Sequence, residues 1–216
     1  MSPLLALALL AAPLRALDLG RLDPATIAAL SAEGPVVAMA LDASGRPGLA
    51  TAAVVVEAPP QAVWDAMAGF AAYPGWVPQV QAAEVRAADE TGATVAFELA
   101  FDFFLTIHVD YTLRYRRVGP WRMEWSQVEG DFARNEGFWE IQPYGGGSLF
   151  YYGVLADYSS MRLLRGVLEA QPALELGLGS SSAAVVAQAV KGRVEGGASG
   201  RAPPGPDRPG DCRRPR

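Results

Sequence analysis

The chain has 216 residues, of which 50% are hydrophobic and 19% are charged, so it is long and apolar enough for one globular domain and is not wholly disordered. Its 18 basic and 23 acidic residues leave a net charge of −5, which argues against a nucleic-acid partner because phosphate neutralisation needs clustered Lys and Arg. A single cysteine and a single histidine exclude a disulfide framework and a multi-Cys/His metal site. No uninterrupted apolar run reaches the roughly 18–20 residues that span a bilayer.

The two ends of the chain differ in composition from the middle. Leu4 to Ala16 is an apolar stretch with the length of a signal-peptide core and a small residue at its end, so we assign 1–16 to a secretory signal and expect a periplasmic or secreted protein. The alternative is an N-terminal helix that stays with the fold. At the other end, 196–216 is rich in Pro, Gly and Arg and contains Cys212, which predicts a disordered tail.

The first elements form an extension, 17–48, before the main domain. Asp23-Pro24 provides an N-cap and a proline at the first helical position, which predicts a short helix through Ala32. A short β-prone run, Val36 to Leu41, and a strand from Leu49 to Glu57 flank a turn-rich segment. These two strands are expected to pair as a hairpin.

A helix and an aromatic corner follow. Prolines 59 and 60 introduce a predicted helix, Gln61 to Gly69, whose apolar residues recur at spacings of three and four. The next segment, Tyr73 to Pro78, combines aromatic residues with two prolines. Such a segment cannot be one regular element.

The stretch from Ala93 to Arg117 alternates strictly between apolar odd-numbered and mostly polar even-numbered residues. Period-2 alternation predicts β-structure with one apolar and one wet face. A single strand of this length would reach roughly 80 Å, so we predict two strands with a bend near Asp102 to Leu105. His108 falls on the wet face, which favours a surface position over catalysis.

The remainder predicts further strands and then helices. Val80 to Ala88, Trp121 to Ser126, the region of Trp139 and Ser148 to Ala156 are expected to complete an antiparallel sheet. A helical stripe begins after Ser159 and is interrupted at Pro172 and at Gly177-Leu178-Gly179. Ser180-Ser181-Ser182 is expected to cap a last helix that ends near Glu195.

Several of these segments together resemble one family. They are Val55-Val56-Glu57-Ala58-Pro59-Pro60-Gln61-Ala62-Val63-Trp64-Asp65, then Phe70, Tyr73-Pro74 and Trp76-Val77-Pro78, then Arg122-Met123-Glu124-Trp125, Val128-Glu129-Gly130-Asp131-Phe132 and Glu136-Gly137-Phe138-Trp139. The order resembles the START-like (SRPBCC) superfamily, in its coenzyme Q-binding and polyketide cyclase branch. The resemblance covers about 49–195. It implies an α+β helix-grip fold, in which a curved antiparallel β-sheet wraps around a long C-terminal helix with a hydrophobic cavity between them.

The resemblance also implies which residues bind. Aromatic residues at strand spacing fill a core in the simplest interpretation, but this fold keeps a cavity that they would line. We therefore expect an apolar ligand to contact Trp76, Phe97, Phe101, Tyr111, Trp125, Trp139 and Tyr151. The corner around Trp76 would lie near the cavity mouth and gate entry.

The expected function is non-catalytic binding, or transport, of a hydrophobic small molecule or lipid such as a quinone or isoprenoid. A polyketide cyclase or aromatase-like enzyme and a partner-binding module with a filled core remain open alternatives. The sequence marks no carboxylate pair, nucleophile elbow or phosphate loop, so no catalytic residue, metal or cofactor is assigned. A transient membrane contact is left open as a partner, and nothing specifies the oligomeric state.

Overall fold

The computed structural model describes residues 19, 22–41, 45–102 and 106–198. The expected signal segment, the turn residues 42–44, the bend residues 103–105 and Cys212 lie outside the described residues. Four α-helices are described: α1 (Pro24–Leu30), α2 (Pro60–Ala68), α3 (Arg162–Ala170) and α4 (Pro172–Ala198). The strands are β1 (Val36–Leu41), β2 (Pro47–Val56), β3 (Val80–Asp89), β4 (Gly92–Asp102), β5 (Thr106–Gly119), β6 (Arg122–Gly130), β7 (Arg134–Tyr144) and β8 (Gly147–Asp157).

All eight strands form one antiparallel sheet in the order β1-β2-β8-β7-β6-β5-β4-β3. Strands β3 to β8 follow one another as a meander, and β8 returns to pair with β2, for example Ala52 with Tyr152. The predicted hairpin is confirmed, since β1 pairs with β2 in the register Val36 to Ala53. The segment expected as an extension therefore contributes an edge strand to the main sheet.

The alternating segment from Ala93 to Arg117 contains two strands, as predicted. Strand β4 ends at Asp102 and β5 begins at Thr106, and the two pair from Asp102–Thr106 to Gly92–Arg116. Odd-numbered residues such as Val95 and Val109 are buried in the core, whereas Asp110 and His108 are exposed. This places one apolar face of the sheet against the helices, as period-2 spacing requires.

The aromatic corner is a 3-10 helix, Phe70–Gly75, followed by irregular chain. The Tyr73 hydroxyl donates a hydrogen bond to the carbonyl oxygen of Met67 at 2.6 Å, which ties the corner to the end of α2. The chain then turns through Gln79, which has a positive φ of 65°, into β3. The corner thus closes one end of the sheet's apolar face.

The C-terminal helical region departs from the prediction in one respect. The interruption at Pro172 is confirmed, because α3 ends at Ala170 and Pro172 begins α4. The predicted interruption at Gly177-Leu178-Gly179, with a new helix capped by Ser180 to Ser182, is wrong, because α4 runs through these residues without a break. Ser180 and Ser181 instead donate hydrogen bonds to the carbonyls of Leu176 and Leu178, so their hydroxyls are satisfied within the helix.

Helix α4 is the long helix around which the sheet curves. It packs chiefly against β2 and β8, and Ala183, Ala187 and Val190 are completely buried on its inner face. The segment Ala173–Gly196 also has the length and mean hydropathy, 1.3, of a membrane span. It is not an uninterrupted apolar run, because charged residues such as Glu175 and Lys191 lie within it.

Two apolar layers flank the sheet. The main core lies between its concave face and helices α2 and α4. A smaller cluster on the opposite face joins Leu19 and Ile27 to Ala53, Leu149 and Tyr151. The sheet is therefore covered by α1 on its outer face and by the longer helices on its inner face.

Candidate functional site

A cavity of about 350 Å³ lies between the concave face of the sheet, the aromatic corner and helices α3 and α4. Its wall draws on β4 to β8, on the corner from Tyr73 to Val80, and on the residues where α3 and α4 approach the sheet. The lining is predominantly apolar, as is usual for small-molecule sites. Its aromatic members are Tyr73, Trp76, Phe97, Phe101, Tyr111, Tyr115, Trp125, Phe132, Trp139, Tyr152 and Tyr158.

Six of the seven residues expected to contact a ligand lie in this wall. They are Trp76, Phe97, Phe101, Tyr111, Trp125 and Trp139. Tyr151 is the exception: it packs on the outer face beside Leu149 and Ile27. Because neighbouring residues of a strand point to opposite faces, it is Tyr152 that faces the cavity.

Sequence reasoning missed several polar members of the wall, among them Tyr115, Tyr152, Tyr158 and Asn135. Tyr115 lies at an odd-numbered position of the alternating stretch, so the same period-2 rule could have included it. Asn135 likewise shares the parity of Trp139 in β7, whereas Tyr152 and Tyr158 had no such signal. In β8 aromatic residues occupy both faces at Phe150, Tyr151 and Tyr152, and its polar residues Ser148 and Asp157 fall on opposite parities.

The aromatic side chains form a continuous chain around the cavity. Its ring centroids are 5.4 Å apart for Tyr158–Phe132, 5.2 Å for Phe132–Tyr111 and 5.4 Å for Tyr111–Phe97. The chain continues through Tyr115 to Trp125 and ends with Trp125–Tyr152 at 5.2 Å. Contacts of this kind hold each ring in a defined orientation, so the wall has a fixed shape.

The indole of Trp125 fits because residue 137 on the neighbouring strand has no side chain. A Cβ at Gly137 would overlap the Trp125 ring and the carbonyl oxygen of Gly153. The Trp125 Nε1 group donates a hydrogen bond to Oδ1 of Asn135 at 3.2 Å. This bond orients the buried Asn135 amide, so its Nδ2 group remains as a donor.

The tyrosine hydroxyls of the wall fall into two groups. Tyr73 donates to Met67, and the Tyr158 hydroxyl lies close enough to Ser182 for that side chain to lower its pKa, against the larger raising effect of burial. Within the described part of the chain, no hydrogen bond is made by the hydroxyls of Tyr111, Tyr115 or Tyr152. The polar side-chain atoms that are buried without a partner among the described residues are Trp139 Nε1 and Gln127 Oε1.

The described wall of the cavity is formed by side chains without formal charge. Among the described residues, no Asp, Glu, Lys, Arg or His lines the cavity. The only ionisable groups among the described lining residues are tyrosines. Burial raises the pKa of Tyr73, Tyr111, Tyr115 and Tyr152 above the usual value, with further contributions from neighbouring tyrosines. The wall is therefore uncharged at neutral pH.

His108 and the described Asp and Glu residues lie outside the cavity lining. His108 is exposed on the outer face, with Nδ1 3.6 Å from Oε1 of Glu98. In the ranges the structure describes, no group of three or more His, Cys, Asp or Glu side chains could hold a metal ion. The chemistry available inside the cavity is consequently that of apolar contact and neutral hydrogen bonds.

The fold and the cavity define a class of protein: a helix-grip domain with an uncharged apolar cavity. The family model described as polyketide cyclase/dehydrase and lipid transport matches residues 56–177. Since the match spans more than half of the chain, the protein belongs to this family. A search of curated proteins found no match.

Solved structures support the fold. The STAR-related lipid transfer protein from Xanthomonas axonopodis is similar with a TM-score of 0.57 and 15% identity, over 76% of this chain and 95% of that one. The protein TTHA0849 from Thermus thermophilus gives 0.56 and 18%, over 68% and 97%. The Zhui aromatase/cyclase from Streptomyces sp. R1128 gives 0.51 and 15%, over 68% and 93%. The resemblance to START-like proteins and their helix-grip fold is thereby confirmed.

Proposed function

We propose that this protein binds a hydrophobic small molecule or lipid, such as a quinone or isoprenoid, and carries it without chemical change. The observation that carries the proposal is the uncharged apolar wall of the 350 Å³ cavity. Keeping an apolar chain out of water contributes about 0.8 kcal/mol per CH₂ group. A wall built for that transfer needs no ionisable side chain.

The same wall argues against acid–base catalysis. A general acid or base works best with a pKa near the operating pH. The ionisable groups that line the cavity are tyrosines, and burial moves their pKa values further from neutrality. A cyclase-like reaction would have to rely on positioning alone.

The test is to fill the cavity and measure binding. Ala156 lines the cavity, and we expect Ala156→Trp to reduce affinity for a short-tailed benzoquinone at least tenfold, measured by quenching of tryptophan fluorescence. Ala87→Trp, at an exposed position of β3, is the matched control and should bind normally. Wild-type protein that does not bind, or an Ala156→Trp variant that binds equally well, would overturn the proposal.

The proposal assigns the binding contacts to the aromatic wall and entry to Trp76. Trp76 packs edge-on against Tyr73, with ring centroids 5.1 Å apart, and is only partly buried. We expect Trp125→Ala to weaken benzoquinone binding and Trp76→Ala to change its association rate in stopped-flow measurements. Unchanged affinity and rate in both variants would show that the site lies elsewhere.

A transient membrane contact is part of the proposal. Val167, Leu174 and Leu176 are exposed at the junction of α3 and α4, while Met161 and Leu164 beside them line the cavity. An apolar rim next to the cavity would let a lipid pass without crossing water. Leu174→Ser with Leu176→Ser should reduce co-flotation with phospholipid vesicles, whereas Leu30→Ser on α1, also exposed, should not.

The proposal also places the protein outside the cytoplasm, on the strength of the apolar N-terminal segment. Cleavage after Ala16 would leave a mature chain that begins at Leu17. N-terminal sequencing of the protein from its host tests this directly. A mature chain that retains Met1 to Ala16 would contradict it.

A further inference from the structure

Three tyrosine hydroxyl groups of the cavity wall make no hydrogen bond to the described residues of the fold. Tyr111, Tyr115 and Tyr152 line the cavity, and no described residue hydrogen-bonds to their hydroxyls. None of the three hydroxyls is an enclosed polar atom without a partner, so each opens onto the cavity space. Phenylalanine would pack the wall equally well, so hydroxyls that face the cavity point to an interaction with a bound molecule.

The three side chains approach one another from two distant strands. Tyr111 and Tyr115 come from β5, and Tyr152 comes from β8. Trp125 lies between two of them: its ring centroid is 5.8 Å from that of Tyr115 and 5.2 Å from that of Tyr152. Asn135, which accepts the Trp125 hydrogen bond, adds an amide donor to the same part of the wall.

These groups stay neutral donors over the whole physiological range. Burial, followed by the proximity of other tyrosines, raises the pKa of Tyr111 and Tyr115, and the same two causes act on Tyr152. No cationic side chain among the described residues lines the cavity to neutralise an anion. Burying an unpaired carboxylate is far more costly than burying a carbonyl, so the wall disfavours charged ligands.

We propose that the cavity selects an uncharged ligand bearing a carbonyl or hydroxyl oxygen, and that Tyr111, Tyr115 and Tyr152 hydrogen-bond to that oxygen. This inference rests on the proposed function and names the chemical class of the ligand. It distinguishes oxygenated molecules from pure hydrocarbons of the same shape. It also distinguishes them from acids of similar size.

Three bicyclic probes separate these classes: 2,3-dimethyl-1,4-naphthoquinone, 2,3-dimethylnaphthalene and 1-naphthoate. Calorimetric titration of the full chain at pH 7 should show the quinone bound at least about tenfold more tightly than the hydrocarbon, as expected for one or two net hydrogen bonds. The naphthoate should bind more weakly than the quinone. Both ring positions of the quinone are methylated, so it does not add to Cys212.

Conservative variants test the residues. Tyr111→Phe and Tyr152→Phe should each lower quinone affinity roughly threefold to tenfold and leave hydrocarbon affinity unchanged. Tyr151→Phe, the neighbouring tyrosine on the outer face, is the matched control and should change neither. Circular dichroism confirms that each variant is folded.

The outcomes separate this inference from the proposed function. If the hydrocarbon binds as tightly as the quinone, or if the naphthoate binds best, the inference is overturned while an apolar binding role stands. If neither Phe variant alters quinone affinity, the assignment to the hydroxyls is overturned. If no probe binds, the proposed function fails together with the inference.

Discussion

The absence of a side chain at Gly137 is what allows the wall of the cavity to form. The Trp125 indole lies across this position of β7, where a Cβ would overlap it and the backbone of β8. No rotamer change relieves an overlap with a backbone oxygen. The position therefore couples sheet packing directly to the shape of the cavity.

We expect Gly137→Ala to lower the free energy of unfolding by about 2–3 kcal/mol, because the overlap forces the strands apart. Urea denaturation measures this. Gly166→Ala on α3 is the matched control: a Cβ there meets nothing within 4 Å, and it should stabilise the helix by up to about 1 kcal/mol. Equal effects of the two substitutions would contradict the packing argument.

The Tyr73 hydroxyl makes a hydrogen bond within the fold. Its hydrogen bond to the Met67 carbonyl is 2.6 Å long and buried. Tyr73→Phe should cost about 1 kcal/mol of unfolding free energy, measured by urea denaturation, whereas Tyr151→Phe should change it by less than about 0.5 kcal/mol because no described residue bonds to that hydroxyl. A stability of Tyr73→Phe equal to wild type would show that the corner is held by ring packing alone.

At the scale of elements, the C-terminal half of α4 is fastened to the end of β2. Lys191 Nζ donates to the carbonyl of Val55 at 2.8 Å and to Glu195 Oε1 at 2.7 Å. The same Glu195 oxygen accepts the backbone N–H of Glu57 at 2.8 Å. This set of bonds holds the helix where its inner face covers the sheet.

We expect Lys191→Met to remove two hydrogen bonds of this set and to speed hydrogen exchange at the Glu57 amide about tenfold, since opening of the helix end becomes easier. Mass spectrometry or NMR measures the exchange. Arg165→Met, which removes an exposed ion pair on α3, is the control and should leave Glu57 unchanged. Unchanged protection in Lys191→Met would mean that apolar packing alone holds α4.

The elements also show where sequence reasoning succeeds. The alternation from Ala93 to Arg117 predicts two strands and their inward face, because one polar residue follows nearly every apolar one. Helix α4 is harder to interpret. Its glycines and its three serines suggest a break and a cap, yet burial of Ala183, Ala187 and Val190 against the sheet outweighs the low helix propensity of Gly177 and Gly179.

At the scale of the molecule, the buried tyrosines make stability depend on alkaline pH. Burial raises the pKa of Tyr73, Tyr111, Tyr115 and Tyr152 in the folded state above the ordinary value of about 10. The folded state then holds protons that the unfolded chain releases. Their contribution is complete below about pH 10 and is lost as the pH rises through the folded-state values.

The free energy of unfolding should therefore be insensitive to these groups up to about pH 10 and then fall by as much as about 1.4 kcal/mol per pH unit for each of the four tyrosines. Urea denaturation between about pH 8 and pH 11 measures the slope on either side of that value. The double variant Tyr111→Phe, Tyr152→Phe should make this slope shallower without abolishing it, because the pKa values of the remaining buried tyrosines stay raised. A stability that stays constant over this whole range would show that the hydroxyls are in contact with bulk water.

The aromatic character of the site was predictable from the sequence, but some of its polar residues were not. The strand parity and the family resemblance together indicate an aromatic wall, and six of the seven named residues lie in it. Tyr152 was missed because its position depends on which face of β8 turns inward. The pairing of β8 with β2 and β7 determines which face points inward. This pairing joins residues far apart in the chain, so a local sequence pattern does not predict it.

The central claim is that the cavity holds an uncharged apolar molecule, and the most direct test is native mass spectrometry of the protein purified from its own host, with organic extraction of what accompanies it. The account predicts one equivalent of a neutral oxygenated lipid, quinone or isoprenoid per chain. It also predicts uptake of such a molecule by delipidated protein. A protein that is isolated empty and stays empty when offered lipid extracts would contradict the account.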